Sequence, residues 1–99
     1  MTLKLQSKLN QESATLYCEG DLVGGSETTH LRHAVTQLFR ERESVVLDLS
    51  GIGYMTSGGL STLVGLYSTA RTSGGTLKYV NLSVEIDFSR RQVSTQKAA

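Results

Sequence analysis

Apolar and polar residues alternate from the start of the chain. Leu3, Leu5 and Leu9 are interleaved with Lys4, Gln6, Lys8 and Asn10, a period of two that predicts a strand with one buried face. "NQES" then supplies turn residues. Ala14, Leu16 and Cys18 alternate with Thr15, Tyr17 and Glu19, so a second strand is predicted, folding back on the first as a hairpin. "EGDLVGGSE" interrupts this pattern with three glycines. From Ser26 the period lengthens. Leu31, Ala34, Val35, Leu38 and Phe39 fall at i, i+3, i+4, i+7 and i+8, one apolar stripe on a helix of roughly four turns. Ser26 or Thr28 is expected as its N-cap, and "RERE" at 40–43 closes it.

"SVVLDLS" at 44–50 is apolar at both parities except for Asp48, which suits a central strand covered on both faces. Beyond the glycine-rich "GIGYMTSGG", Leu60, Leu63, Val64, Tyr67 and Ala70 form a second helical stripe. It stops at "RTSGG", where Gly74 or Gly75 suits a left-handed C-cap. "TLKYVNL" is the next predicted strand. Strand, helix, strand in this order implies parallel neighbours joined by right-handed crossovers. The predicted architecture is therefore α/β: a mixed sheet carrying helices, with an N-terminal hairpin followed by βαβ units. Val84, Ile86 and Phe88 alternate with Glu85, Asp87 and Ser89, enough for one more short strand. A single domain is expected over 1–88, with 89–99 a frayed tail.

At 99 residues one core suffices, near the lower end of unstapled domains. With 38% hydrophobic and 19% charged residues the balance is that of a soluble protein. The net charge is +1, and basic residues cluster nowhere before the tail, so no nucleic-acid partner is expected. Cys18 is the only cysteine, which excludes an internal disulfide and fits a reduced, cytoplasmic setting. The alternating N-terminus lacks the apolar centre of a signal peptide. No run approaches the roughly 18–20 apolar residues of a membrane span, so no membrane partner is expected either. His30 and His33 lie one turn apart without a Glu or Cys to complete a metal set. No cofactor is implied. Asp48 stands alone in an apolar run, and the pattern does not separate a loop-capping role from one at a site.

The densest chemistry lies in "GYMTSGGL", residues 53–60, where Ser57 sits between strand and helix. Four readings compete for a serine there. A helix cap is the plainest, accepting a hydrogen bond from a backbone N–H within the first turn. A hydrolase elbow requires glycine two positions earlier, where Met55 stands. A dinucleotide fingerprint fails because its third glycine falls on Thr56. A phosphoacceptor fits: the N–H groups of Gly58, Gly59 and Leu60 and the helix dipole would stabilise an added phosphate. Local pattern favours the cap and permits the acceptor without selecting it.

The longer run "VVLDLSGIGYMTSGGLSTLVGLYSTARTSGGTLKYVNLS" resembles the STAS family, in its small bacterial branch of anti-sigma-factor antagonists. The landmarks are a strand ending in "DLS", the aromatic Tyr54, "TSGGL", the helix over 60–72, Gly74-Gly75 and a strand ending in "NLS". "EGDLVGGSETTHLRHAV" resembles the family's Gly-acid-Leu loop and first helix. The resemblance spans about residues 3–83. It implies a protein-binding switch and no enzyme. The unphosphorylated domain would bind an anti-sigma factor that is also an ATP-dependent serine kinase, releasing a sigma factor. Phosphorylation at Ser57 would end binding, and a phosphoserine phosphatase would restore it. The docking surface would comprise Gly20, Asp21, Leu22, Thr56, Ser57, Gly58, Gly59, Leu60 and Ser61.

Three positions depart from the family pattern. Thr56 replaces the acid before the acceptor, and is itself an alternative acceptor. Val23 replaces the acid after Gly-acid-Leu. The segment after residue 83 lacks the helix, strand and closing helix that usually follow. A sheet shortened in this way is expected to leave apolar surface open to self-association. The alternative to a switch is a non-catalytic STAS scaffold subunit of a signalling or transport assembly, with Ser57 unphosphorylated.

Overall fold

The computed structural model describes residues 3–88. The predicted hairpin forms from β1 (Leu3–Leu9) and β2 (Ser13–Leu22), antiparallel with Leu5 opposite Cys18. Helix α1 (Ser26–Glu41) leads to β3 (Ser44–Thr56). Helix α2 (Ser57–Ser73) leads to β4 (Thr76–Val80), and a two-residue strand β5 (Ile86–Asp87) closes the described chain. The sheet order is β1-β2-β3-β4, with β2, β3 and β4 parallel. This is the mixed α/β sheet expected from the sequence. The expected tail over 89–99 lies outside the described residues.

Both crossovers step in the same direction across the sheet, so right-handedness puts both helices on one face. The burial pattern agrees. Ala14, Leu16 and Cys18 of β2 and Val45, Leu47 and Leu49 of β3 are buried together with Leu31, Val35 and Leu38 of α1. Their alternates on β3, Val46 and Asp48, are half-buried and Ser50 is exposed. The expectation of a central strand covered on both faces is therefore corrected: β3 has one packed face and one polar, open face. Asp48 lies on the open face. It accepts from the Ser50 N–H at 2.9 Å and from Asn81 Nδ2 at 3.2 Å, tying the turn after β4 to the middle of β3.

β3 is also longer than its apolar run suggested. It continues through Gly51 and Gly53 to Thr56, because β2 pairs with it as far as Leu22–Met55 after register shifts near Glu19 and Gly20. One edge of this long strand carries two segments in tandem. β4 pairs along Ser44–Asp48, and β5 pairs farther on at Met55–Thr56.

The α2 stripe needs correction as well. Gly59, Thr62, Leu63, Leu66 and Ala70 face inward, whereas Val64 is 61% exposed and Tyr67 47%. The cause is a close approach. A Cβ on Gly59 would stand 2.0 Å from the Leu22 carbonyl oxygen, so the helix begins nearly in contact with β2, and Gly59 must face it. Tyr67 instead packs edge-on against Tyr79, with ring centroids 5.3 Å apart. The helix closes on Gly74, as expected, in a left-handed conformation.

Candidate functional site at the helix rim

Because β2 and β3 run parallel, their C-terminal ends and the first turns of both helices meet at one rim. The β2–α1 loop turns there through Gly24 (φ 96°) and Gly25 (φ 74°), which occupy backbone conformations disfavoured for other residues. Gly25 is the N-cap of α1 and makes no side-chain cap. The expected cap at Ser26 or Thr28 is thus corrected: Ser26 opens the helix and Thr28 lies inside its first turn, using its hydroxyl elsewhere.

The cap of α2 is Thr56, one residue before Ser57. Thr56 Oγ1 accepts from the Gly59 N–H at 3.3 Å and donates to the Val23 carbonyl at 3.2 Å. Its side chain is 4% exposed. One hydroxyl therefore caps α2 and fastens the preceding loop to it. The fit is close, since a Cβ on Gly58 would lie 2.7 Å from the Val23 oxygen. A second bridge runs beside the first. Thr62 Oγ1 donates to the Gly58 carbonyl at 3.0 Å, so its 3.0 Å contact with Thr28 Oγ1 is donated by Thr28. The first turns of the two helices are thereby linked.

Ser57 is not the cap. It is the first helical residue, half-exposed, with Gly58 and Ser61 exposed and Leu60 half-exposed around it. Of the N–H groups foreseen for an added phosphate, that of Gly59 is taken by Thr56. Gly20 and Asp21 are half-buried within β2 and reach the same rim. Leu22 is fully buried, so it contributes backbone and core and no exposed side chain. His30 and His33 are exposed on α1. Among the described residues no group of His, Cys, Asp or Glu is placed to hold a metal ion.

Two features of the rim escaped the sequence pattern. The Thr28–Thr62 link joins positions far apart in the chain, and nothing in local spacing signals it. The other is β5, which places Asp87 opposite Thr56, where Tyr54 donates to Asp87 Oδ2 at 2.6 Å. Both residues were visible, as an aromatic landmark and as part of an alternating run, but only strand register brings them together.

Farther back along the sheet, burial sets the ionisation of two groups. It pushes the Cys18 thiol up to about 12, with the Asp48 charge adding to the effect. Tyr79, whose hydroxyl donates to the Leu63 carbonyl, is also raised, chiefly by burial and then by Tyr67 and Cys18. Asp48 is lowered, first by the Ser50 backbone N–H and then by the Ser50 hydroxyl; desolvation opposes this, and the Asn81 hydrogen bond adds a smaller lowering.

A family model described as "Mlab, STAS domain" matches residues 5–94. The chain belongs to the STAS family. Solved STAS structures share its fold. An anti-sigma-factor antagonist STAS domain from Rhodobacter sphaeroides superposes with a TM-score of 0.65 at 21% identity, over 80% of this chain and 86% of the other. An anti-sigma factor antagonist from Mycobacterium paratuberculosis gives 0.64 at 17% identity, over 98% and 80%. The Bacillus cell fate determinant SpoIIAA, in its phosphorylated form, gives 0.57 at 10% identity, over 99% and 100%. No protein of curated function matches the sequence. No helix among the described residues of this STAS domain is long and apolar enough to cross a membrane.

Proposed function

We propose that this STAS domain is an anti-sigma-factor antagonist, a non-catalytic switch that binds an anti-sigma factor with ATP-dependent serine kinase activity and is released by phosphorylation at Ser57. The observation that carries the reading is the division of labour at the rim. Thr56 makes the cap and is buried, so the Ser57 hydroxyl stands outside the capping bonds on a half-exposed first turn. A phosphate there would face the positive end of α2 and add about −1.5 to −2 charge to a surface formed by Asp21, Ser57, Gly58, Leu60 and Ser61. That charge opposes docking through repulsion and desolvation while leaving the core untouched. A phosphoserine phosphatase resets the switch. Thr56, 4% exposed, is the poorer acceptor, because a kinase would have to open the loop to reach it.

Incubation with a cognate kinase and ATP, followed by mass mapping, tests this directly. Phosphate on Ser57 and loss of partner binding in Ser57→Asp are expected. Undiminished binding by that variant would overturn the switch.

One observation favours a second reading, that of a scaffold subunit in a signalling or transport assembly. The acid preceding the acceptor in the family pattern is Thr56 here, and its hydroxyl is committed to structure. In that case the partner complex forms equally well with Ser57→Asp, and no kinase labels the chain. Self-association is supported by exposed Val64, Tyr67, Leu82 and Phe88 and by β4, which ends the sheet order. Light scattering at high concentration tests it, and a strictly monomeric species would exclude it.

A further inference from the structure

β5 reaches the rim from the side opposite the β2–α1 loop. It lies parallel to the last residues of β3, with Ile86 opposite Met55 and Asp87 opposite Thr56. Adjacent strands lie about 4.8 Å apart, and Ser57 follows Thr56 directly, so the backbone of Asp87 lies across from the residue that precedes the acceptor. The Asp87 carboxylate accepts a part-buried 2.6 Å hydrogen bond from the Tyr54 hydroxyl on the same stretch of β3. Val84 and Ile86 rest half-buried against the core. Asp21 pairs with Tyr54 across the other edge of β3, two residues farther from Ser57 than the Asp87 pairing.

We propose that β5 is a moving part of the switch: a phosphate on Ser57 repels Asp87 and loosens the C-terminal strand from β3. This rests on Ser57 being the acceptor and goes beyond it, because modification would then alter the attachment of a chain segment as well as the charge of the docking surface. A near-dianionic phosphate and a carboxylate on neighbouring backbone positions interact well inside the Debye length of about 8 Å at physiological salt. The phosphate is held by the first turn of α2, which belongs to a long, packed helix. The strain therefore falls on the two-residue strand, the kind of element that opens locally before the core does.

The test needs no kinase. Phosphoserine is installed at position 57 of the full chain by genetic encoding, and amide hydrogen exchange is followed over residues 84–88. Exchange there is expected to accelerate about tenfold on phosphorylation, with the β1–β2 hairpin unchanged. In an Asp87→Asn background the phosphate is expected to add less than about twofold, whereas in Asp21→Asn the full response remains. Unchanged exchange on phosphorylation of the wild-type chain would overturn the proposal, as would an equal acceleration in Asp87→Asn. Failure here leaves Ser57 as an acceptor intact, because the phosphate was not placed by an enzyme. Failure of kinase labelling at Ser57 would instead remove the acceptor while leaving this measurement unaffected.

Discussion

Thr56 joins two stretches of backbone through one hydroxyl, and its chemistry is not interchangeable with that of a carboxylate. A threonine at this position both accepts from Gly59 and donates to Val23, whereas an ionised aspartate only accepts. Thr56→Ser is expected to melt near the wild-type temperature. Thr56→Val should lose about 1–3 kcal/mol, from the absent cap and the carbonyl left without its donor. Thr56→Asp should also be destabilised near pH 7, where its charge faces the Val23 oxygen. Thermal or urea melts of the three variants check the order. Cys18 offers a second measurement. Its thiol is raised to about 12 in the fold, against roughly 8.5 in an unfolded chain. Between those values the unfolded state has lost a proton that the native state keeps, so stability falls as pH rises through that window. Cys18→Ala should flatten the alkaline slope, though it starts lower because of the cavity. Asp48 has the opposite sign. Its lowered value means that its contribution is present above the ordinary aspartate range and is lost as pH falls below about 4, a loss absent in Asp48→Asn.

Among the elements, strands whose residues alternate were legible because a period of two reports directly which face is buried. The hairpin, α1 and the order of crossovers followed from that. α2 was misread because its inward face is fixed at its start by proximity, at a glycine that an apolar stripe does not count. With the Leu22 carbonyl 2.0 Å from where a Gly59 Cβ would be, position 59 admits no side chain, and the inward face runs from there through Thr62, Leu63, Leu66 and Ala70, leaving Val64 and Tyr67 outside. The extent of β3 was hidden for a related reason: glycines at 51 and 53 suggest a loop until a neighbouring strand pairs with them. Glycine substitutions separate these cases. Gly59→Ala should destabilise by several kcal/mol, or about 3, because the opposing atom is backbone and has nowhere to go. Gly65 has nothing within 4 Å of its virtual Cβ and sits exposed in the middle of α2. Gly65→Ala should therefore stabilise by about 0.5–1 kcal/mol. Denaturant titration of both variants tests the distinction.

At the scale of the molecule, the residues that gather at the rim could be marked in the chain, and the bonds that join them could not. The serine, the two glycines after it and the Gly-acid-Leu run could be marked in the chain, although that run, expected as a loop, forms the end of β2. The links between Thr28 and Thr62, and between Tyr54 and Asp87, depend on which segments the sheet sets side by side. The same arrangement gives the domain two unlike ends. The rim gathers both helix starts, while the opposite end holds the hairpin turn, where the Asn10 N–H donates to the Ser13 carbonyl at 2.7 Å and Arg42 reaches the Asn10 carbonyl. Lengthening a turn costs only a fraction of a kcal/mol per doubling, so a short Gly-Ser insertion between Gln11 and Glu12 should change the melting free energy by less than about 1 kcal/mol. The same insertion between Gly24 and Gly25 should cost several times more. A fluorophore or surface tether grafted at that far pole would consequently leave the rim clear for any partner that the proposed function brings there, giving the molecule a natural handle.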